Sequence, residues 1–302
     1  PRRPLQVAFF TDEEGSRFAP DMLGSLVHVG GLSIEEALDI VAADDGARLG
    51  DELTRIGYAG PAPCPTDRPP HAFVELHIEQ GPILEDEGVT IGVVTGVQGI
   101  SWTEVVVVGQ SAHAGTTPMR LRHDPAYCAG AIATFVRDLT RRLGTEQVGT
   151  VGRLELYPNL VNVVPSRAVM TVDLRNTDER VLQDAEGRLA AFLDELAASE
   201  GVEITTRSLS RFEPVSFDPE MIDRVESAAG RLGYSTRRMA SGAGHDAQML
   251  ARVCPTAMVF TPSVNGLSHN IAEFTEAVDI EAGANVLLQV LLDLLDDEDV
   301  ES

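Results

Sequence analysis

Two adjacent carboxylates, Glu13 and Glu14, follow a short apolar run in the sequence PLQVAFFTDEEGSRF. Neighbouring side chains of an extended segment point in different directions, so one carboxylate can ligate a cation while the other faces a substrate. This arrangement suits metal-assisted hydrolysis, in which a carboxylate takes a proton from an activated water. An acidic turn of this kind is also a common solvated loop, so the pair alone leaves both interpretations open.

Two histidines extend this set of possible ligands. His77 lies in ELHIEQGP, where a short apolar strand enters a helix, and His269 lies in NGLSHNIAEFT, a loop after the apolar strand TAMVF. Either residue alone could be a hydrogen-bonded core or loop histidine. Together with the adjacent carboxylates they form a His, His, Glu set, which is suited to zinc.

A third group of polar residues lies in the middle of the sequence. His113 stands among small residues and threonines in GQSAHAGTTPM, after a strand that we predict to lie at a sheet edge, and a simple turn is the alternative interpretation. Asn162 in PNLVNVVP and Arg175 in VDLRN lie in the same region. A guanidinium can clamp a carboxylate through two parallel hydrogen bonds, and an amide can complete the polar set.

The elements that position these residues follow an α/β pattern at both ends of the chain. PLQVAFF is predicted to be a buried strand, and SIEEALDIVAA to be a helix with Ser33 and Glu36 in capping-box spacing. Near the other end, a helix is predicted over 219–232, a strand at TAMVF and a closing helix over 281–295.

From Ser101 to about residue 213 the pattern changes to strand, helix, strand, strand, helix, strand. This order is the ferredoxin-like arrangement. The sequence therefore predicts a discontinuous α/β domain over 1–98 and 214–302, with an α+β domain inserted over 99–213.

Composition excludes several classes of partner. The 302 residues carry a formal net charge of −24 and contain 23 arginines but no lysine, so nucleic acid and anionic membranes would be repelled. No apolar run reaches membrane-spanning length, and three dispersed cysteines (Cys64, Cys128 and Cys254) favour a reducing cytoplasm. The acidic surface, ending in DDEDVES, favours a salt-rich cytoplasm, with an acidic, GC-rich proteome as the alternative.

Seven ordered motifs give the chain a resemblance to the hydantoinase/carbamoylase family of zinc amidohydrolases, which includes N-carbamoyl-L-amino acid hydrolases, allantoate amidohydrolases and β-ureidopropionases. The motifs are FTDEEGSRF, ELHIEQGP, SAHAGTTPM, PNLVNVVP, VDLRNTD, SGAGHDAQ and PSVNGLSHN, and the similarity extends to about Leu295. The resemblance implies a zinc-peptidase-like α/β/α catalytic domain with an inserted ferredoxin-like lid and dimerisation domain, and hence a homodimer.

The resemblance also implies roles for the residues named above. Glu13 would be the general base, and Glu14 with His269 would bind one of two divalent metals, while His77 binds the other. The metals would be zinc, with manganese, cobalt or nickel as alternatives. His113 would steady charge at the scissile carbonyl. The residues expected to bind the substrate are Asn162, Arg175, Gln80, Gly244 and His245.

One departure from the family leaves a second hypothesis open. The family has a further zinc-binding histidine and a bridging aspartate upstream of the glutamate pair, and this sequence begins after them. We therefore expect an N-terminal part to be missing and the metal site to be incomplete. The first hypothesis is an amidohydrolase acting on carbamoyl amino acids or on allantoate; the second is a non-catalytic binding or dimerisation protein. A third hypothesis, a peptidase or deacylase of the wider aminoacylase and carboxypeptidase clan, stays open but is disfavoured, because the peptidases of that clan tend to have a carboxylate in the position of His77.

Overall fold

The computed structural model of the protein describes residues 2–42, 44–65, 68–144 and 147–296. It splits into two compact units, one formed by Pro1–Val97 with Ser216–Ser302 and the other by Gln98–Val215. Almost all of the predicted acidic tail DDEDVES lies outside the described residues. Within those residues, no helix combines the length and apolar character needed to cross a membrane.

Helices and short strands alternate in the first unit, and longer strands dominate the second. Helices α1 to α9 are Leu23–His28, Ile34–Leu38, Leu49–Arg55, Ile83–Glu87, Pro125–Leu143, Glu179–Glu200, Pro219–Arg231, Asp246–Leu250 and Ala277–Asp296. Strands β1 to β11 are Phe73–Ile78, Ile91–Val97, Gly99–Val108, Ala112–His113, Val148–Tyr157, Val163–Val164, Arg167–Asn176, Glu203–Phe212, Val215–Ser216, Thr236–Ser241 and Thr256–Thr261.

The first unit is built on a mixed sheet with the strand order β1-β11-β2-β10, and β9 also pairs with β2. Strand β11 runs parallel to β1 and antiparallel to β2. Helix α9 packs closely on this sheet at Gly283, where a Cβ atom would lie 2.5 Å from Thr261 Cγ2 and 2.6 Å from Leu76 Cδ1. The missing side chain therefore lets the helix approach β1, which carries His77, and β11, which precedes the segment with His269.

The second unit has an antiparallel sheet with the order β5-β7-β3-β8. Helices α5 and α6 supply the rest of its core, and the rings of Phe135 and Phe192 stack between them with centroids 4.1 Å apart. Strand β7 alternates between core residues and less buried residues, as expected for a sheet with one covered face. This confirms the predicted β-α-β-β-α-β order and the α/β class with an α+β insertion.

Local sequence explains where the long helices begin. The side chain of Asp124 accepts hydrogen bonds from the N–H groups of Ala126 and Tyr127, and Pro125 occupies the first position of α5. The side chain of Asp178 caps α6 in the same way. The predicted capping box between Ser33 and Glu36 is also confirmed, although the helix it opens is only one turn long.

The prediction of a buried strand at PLQVAFF is wrong in the described chain. Residues 4–10 have no strand assignment, and the side chains of Val7 and Phe9 are 73% and 90% exposed. A strand needs a hydrogen-bonding neighbour as well as apolar side chains, and none of the described strands pairs with this segment. The glutamate pair therefore follows an exposed extended segment instead of a sheet strand.

A second correction concerns the strand before His113. We expected an edge strand, but β3 lies between β7 and β8 and is hydrogen-bonded on both sides. Edge and inner positions depend on which distant strands pair, and the local pattern of β3 does not encode that choice. The structure also adds elements that the sequence pattern did not predict, namely α1, α3, β10 and the two-residue strands.

The core of the second unit gives the first testable expectation. Ile132 is fully buried between α5 and the sheet, so Ile132→Ala should lower the free energy of unfolding by about 2–5 kcal/mol. Urea unfolding followed by circular dichroism measures this change. Leu154→Ala, at a half-exposed position of β5, is the matched control and should cost much less. Equal losses in the two variants would contradict the described packing.

Candidate metal centre

The turn that carries the glutamate pair is fixed to the start of α1 by backbone hydrogen bonds. The N–H of Met22 donates to the carbonyl of Glu13 at 2.6 Å, and the N–H of Gly24 donates to the carbonyl of Thr11 at 2.9 Å. Asp12 adopts a left-handed conformation with φ of 55°, which is uncommon for a residue other than glycine. The sharp turn at Asp12 directs the two following carboxylates to different environments.

Glu14 is the more exposed of the two carboxylates and faces a histidine. Its Oε2 lies 3.2 Å from Nε2 of His269, the residue predicted to share a metal with it. His269 itself has a left-handed backbone with φ of 52°, and its N–H donates to Glu273 Oε2 at 3.2 Å. The structure therefore brings the predicted ligand pair Glu14 and His269 together.

Glu13 has a different environment from its neighbour. Burial, together with the negative charges of Glu14, Asp246 and Asp21, raises the pKa of Glu13 to about 7. A carboxyl group with a pKa in this range can both accept and release a proton near neutral pH, which is the property required of a general base. The two adjacent glutamates thus differ in burial and in contacts, as separate roles require.

The third predicted metal ligand, His77, lies in a cluster with Glu75 and His245. One possible ligand atom of each of these residues lies within 4.8 Å of the others. Glu75 and His77 are two residues apart on β1 and so share one face of the sheet, and His245 immediately precedes α8. The rings of His77 and His245 are 4.5 Å apart between centroids.

Hydrogen bonds assign the tautomers of both histidines. His77 Nδ1 lies 2.8 Å from the carbonyl of Ile78 and must donate to it, which leaves the lone pair of its Nε2 for a metal. Ser241 Oγ donates to the carbonyl of Ala243, so His245 Nε2, 2.7 Å away, donates to that hydroxyl. The Nδ1 lone pair of His245 is then buried without a hydrogen-bond partner among the described residues, 3.9 Å from Oε1 of Glu75.

Burial also sets the protonation states of this cluster. It lowers the pKa of His245 to about 3, with a smaller contribution from His77, so the imidazole is neutral as a metal ligand must be. Burial raises the pKa of Glu75 to about 8, although the hydrogen bond from the N–H of Ala247 acts to lower it. A divalent cation would satisfy the unpartnered Nδ1 of His245 and offset the cost of ionising Glu75, so these residues fit a metal site.

The remaining predicted residues of this unit have defined positions. Gln80 has φ of 58°; its N–H donates to Ser263 Oγ at 3.0 Å and its Nε2 donates to Ser268 Oγ at 3.1 Å. A Cβ at Gly244 would lie 2.9 Å from Met22 Cε, so the loop before α8 packs against the start of α1. Substrate contact by Gln80, Gly244 and the fully buried His245 remains a prediction.

In the inserted unit, His113 and Asn162 lie side by side in the backbone. Ala112–His113 pairs with Val163–Val164, and the N–H of Ala114 donates to the carbonyl of Asn162 at 3.0 Å. The Nδ1 of His113 accepts hydrogen bonds from the backbone N–H groups of Gly115 at 3.0 Å and Thr116 at 3.2 Å. A nitrogen that accepts cannot carry the proton of the neutral ring, so Nε2 carries it and can donate.

Arg175 lies on β7 and is oriented by an aspartate of the same strand. Its Nη2 donates to Asp173 Oδ2 at 2.8 Å, and its Nε donates to Asp173 Oδ1 at 3.1 Å. The guanidinium carbon lies 5.9 Å from the ring centroid of Trp102. The guanidinium is therefore held in a fixed orientation on the face of the sheet that α5 and α6 leave uncovered.

Sequence reasoning did not single out three of these residues, namely Glu75, Asp246 and Asp173. Glu75 and Asp173 each lie two residues before a predicted site residue on a strand, and this spacing places both members of a pair on one face. The two-residue alternation of side chains along a strand could therefore have predicted Glu75 and Asp173 as neighbours of His77 and Arg175. Asp246 follows His245 at the start of α8, and only its tertiary position brings its charge near Glu13.

Comparison with known proteins shows the family to which the chain belongs. The sequence pattern of peptidase family M20/M25/M40 matches residues 1–293. The N-carbamoyl-L-amino-acid amidohydrolase of Rhizobium meliloti is 41% identical over 292 residues, which cover 97% of this chain and 70% of the relative. The allantoate amidohydrolase of Escherichia coli (strain K12) is 37% identical over 299 residues, covering 97% of this chain and 72% of the relative.

A solved structure gives the same result for the fold. The hydantoinase/carbamoylase family amidase of Burkholderia multivorans superposes with a TM-score of 0.93 at 46% sequence identity, covering 96% of this chain and 70% of that chain. The chain therefore belongs to the peptidase family M20/M25/M40. Within that family its relatives include amidohydrolases, and the resemblance to the hydantoinase/carbamoylase group is confirmed.

Proposed function

We propose that the protein hydrolyses a linear amide C–N bond of an N-carbamoyl-L-amino acid or a related ureide with the help of divalent metal ions. The observation that carries the proposal is the cluster of Glu75, His77 and His245, together with the half-buried Glu13 whose charge acts on Glu75. Relatives named for hydrolysis of carbamoyl amino acids support the substrate class. Hydrolysis of a carbamoyl substrate gives ammonia, carbon dioxide and the free amino acid.

Two groups of residues are proposed to hold metal. His77 would bind one ion through Nε2, with Glu75 and His245 beside it, and Glu14 with His269 would bind a second. Zinc fits the mixed imidazole and carboxylate donors best, and manganese, cobalt and nickel are alternatives. When bound, such an ion polarises the scissile carbonyl and makes a water acidic enough to lose a proton near neutral pH.

Glu13 is proposed to accept the proton of the attacking water and to pass it to the leaving nitrogen. Its raised pKa suits both steps, because the carboxylate form takes the proton and the acid form gives it up without a large energetic penalty. Glu14 cannot replace it in this role, since its carboxylate faces His269.

The inserted unit is proposed to supply substrate contacts. His113 presents an Nε2–H donor because its Nδ1 accepts two backbone hydrogen bonds, and such a donor stabilises the oxyanion that forms at the carbonyl oxygen. Arg175 and Asn162 are proposed to bind the carboxylate of the amino acid, for which a guanidinium oriented in advance is well suited.

The substrate panel that tests the proposal contains N-carbamoyl-L-amino acids and allantoate. Allantoate is the second candidate because an allantoate amidohydrolase is among the relatives. Ammonia release from either class, lost on chelation and restored by zinc, is the expected result. If the metal-loaded protein binds these compounds but releases no ammonia, this result would favour the alternative hypothesis of a non-catalytic binding protein.

Arg175→Ala should raise KM for carboxylate-bearing substrates roughly 10- to 100-fold, because a hydrogen bond to a charged group contributes about 1.5–3 kcal/mol. Steady-state kinetics with a carbamoyl amino acid and with its carboxamide analogue measure the effect. The carboxamide should show little change. Arg188→Ala, which removes an exposed i,i+4 ion pair with Asp184 in the same unit, is the control. An unchanged KM for the carboxylate substrate would remove the role assigned to Arg175.

We further propose that the protein forms a homodimer, as the resemblance to the hydantoinase/carbamoylase family implies. We also propose that it works in a salt-rich cytoplasm. The high acidic charge and the exclusive use of arginine as the basic residue support a surface adapted to salt. Arginine pairs with two carboxylates at once in several places, as in the contacts of Arg238 with Asp223 and Glu226.

A further inference from the structure

The guanidinium of Arg122 binds both ends of the loop that follows His113. Arg122 Nη2 donates to the carbonyl of Ala114 at 2.6 Å, and Arg122 Nε donates to the carbonyl of Thr117 at 3.0 Å. The N–H of Thr117 donates in turn to the carbonyl of His113 at 3.2 Å. One partly buried side chain thus ties both ends of the four residues 114–117.

The conformation of this loop determines which ring nitrogen of His113 carries the proton. In the observed loop conformation the N–H groups of Gly115 and Thr116 both donate to His113 Nδ1. Gly115 is also close to the imidazole, since a Cβ there would lie 3.3 Å from Cε1. The carbonyl of Ala114 and the N–H of Gly115 belong to one planar peptide group, so the hydrogen bond from Arg122 to this oxygen also fixes the N–H that reaches the ring.

The Arg122 guanidinium binds backbone carbonyls of this loop rather than a carboxylate. Among the described residues, its guanidinium donates to these two carbonyls and takes part in no ion pair. A hydrogen bond from a charged donor is roughly twice as strong as one between neutral groups. Two such bonds to one short loop favour a single loop conformation over the alternatives available to the small residues Ala114 and Gly115.

We propose that Arg122 is a positioning residue that holds the His113 ring in its Nε2–H tautomer and orients it as a hydrogen-bond donor. The effect on kcat rests on the proposed function. The tautomer itself does not, because it can be measured without turnover. The same loop pairs with the Asn162 segment through Ala114, so Arg122 also stabilises the backbone next to a second residue proposed to bind substrate.

Nuclear magnetic resonance of the protein labelled with ¹⁵N in histidine tests the inference directly. The neutral His113 ring of the unsubstituted protein should show one dominant tautomer, with Nε2 protonated. In Arg122→Met the two nitrogens should move towards the averaged shifts of a tautomer mixture. Arg120→Met is the matched control and should leave the His113 signals unchanged, since Arg120 is exposed in the 3-10 turn Met119–Leu121 that directly precedes Arg122. Identical His113 signals in Arg122→Met and the unsubstituted protein would overturn the inference.

Kinetics separate positioning from general stability. Arg122→Met should lower kcat roughly 10-fold, less than the 10²- to 10³-fold loss typical of deleting an oxyanion donor, and KM should change little. In a His113→Ala background, Arg122→Met should cause almost no additional loss, because the ring it positions is gone.

Arg122→Lys should recover part of kcat, and it serves in place of Arg122→Met if that variant does not fold. Additive losses from His113→Ala and Arg122→Met would overturn the inference, whereas an unchanged kcat in His113→Ala alone would overturn the proposed role of His113 and leave the tautomer result standing.

Discussion

Glu13→Gln is expected to lower kcat by about 10²- to 10⁴-fold, the usual contribution of a positioned general base. Glutamine has nearly the same shape as glutamate and cannot accept the proton of the attacking water. Because Glu14 is the residue that faces His269, the metal content of the variant should stay close to that of the unsubstituted protein. Steady-state ammonia release and metal analysis of the purified variant measure the two quantities.

The comparison with other carboxylates makes this test specific. Glu281→Gln, at an exposed position of α9 in the same unit, is the control and should leave kcat unchanged. Glu14→Gln should lose activity together with metal, so the ratio of activity to bound metal separates the base from the ligand. A Glu13→Gln variant with normal kcat would show that another group accepts the proton.

His77→Ala is expected to weaken metal binding by more than about 100-fold, beyond the 10- to 100-fold loss that follows removal of a residue that only orients a ligand. The reason is that His77 offers a lone pair at Nε2, which its hydrogen bond to Ile78 fixes in place. Competition for zinc with a chromogenic chelator measures the affinity, and this measurement does not depend on turnover. Activity should fall in parallel at limiting zinc.

Two further histidine variants define the boundary of the site. His71→Ala, in an exposed loop of the same unit, should bind zinc as the unsubstituted protein does. His245→Ala reports whether the unpartnered Nδ1 ligates the metal directly or lies beside it: a loss equal to that of His77→Ala supports direct ligation. Unchanged zinc affinity in His77→Ala would remove this residue from the metal site.

Several features of the site were predictable because they depend on residues close together in sequence. The strand that carries His77 and the helix after it were predicted from ELHIEQGP, and the structure adds that the two oxygens of Glu79 accept the N–H groups of Ile83 and Leu84 at the start of that helix. That motif therefore combines a candidate metal ligand with a structural cap. The order of elements around His113, Asn162 and Arg175 followed in the same way from local periodicity.

The segment 4–10 shows where local reasoning fails. Its apolar residues are typical of a strand, yet Leu5, Val7 and Phe9 are exposed, because a strand forms only where a neighbour offers backbone donors and acceptors. The inner position of β3 was missed for the same reason. Pairing between strands that are distant in sequence is a property of the folded chain, and hydrophobic patterns constrain it only weakly.

By itself the sequence determined the class of protein and the identity of most candidate site residues, because their types and order are fixed by covalent structure. Only the tertiary structure decided their individual environments. It paired Glu14 with His269, gave the half-buried Glu13 a raised pKa, and joined Glu75 and His245 to His77. Burial and electrostatic coupling depend on which distant segments meet, and these two quantities distinguish a base from a ligand where the sequence shows only two adjacent glutamates.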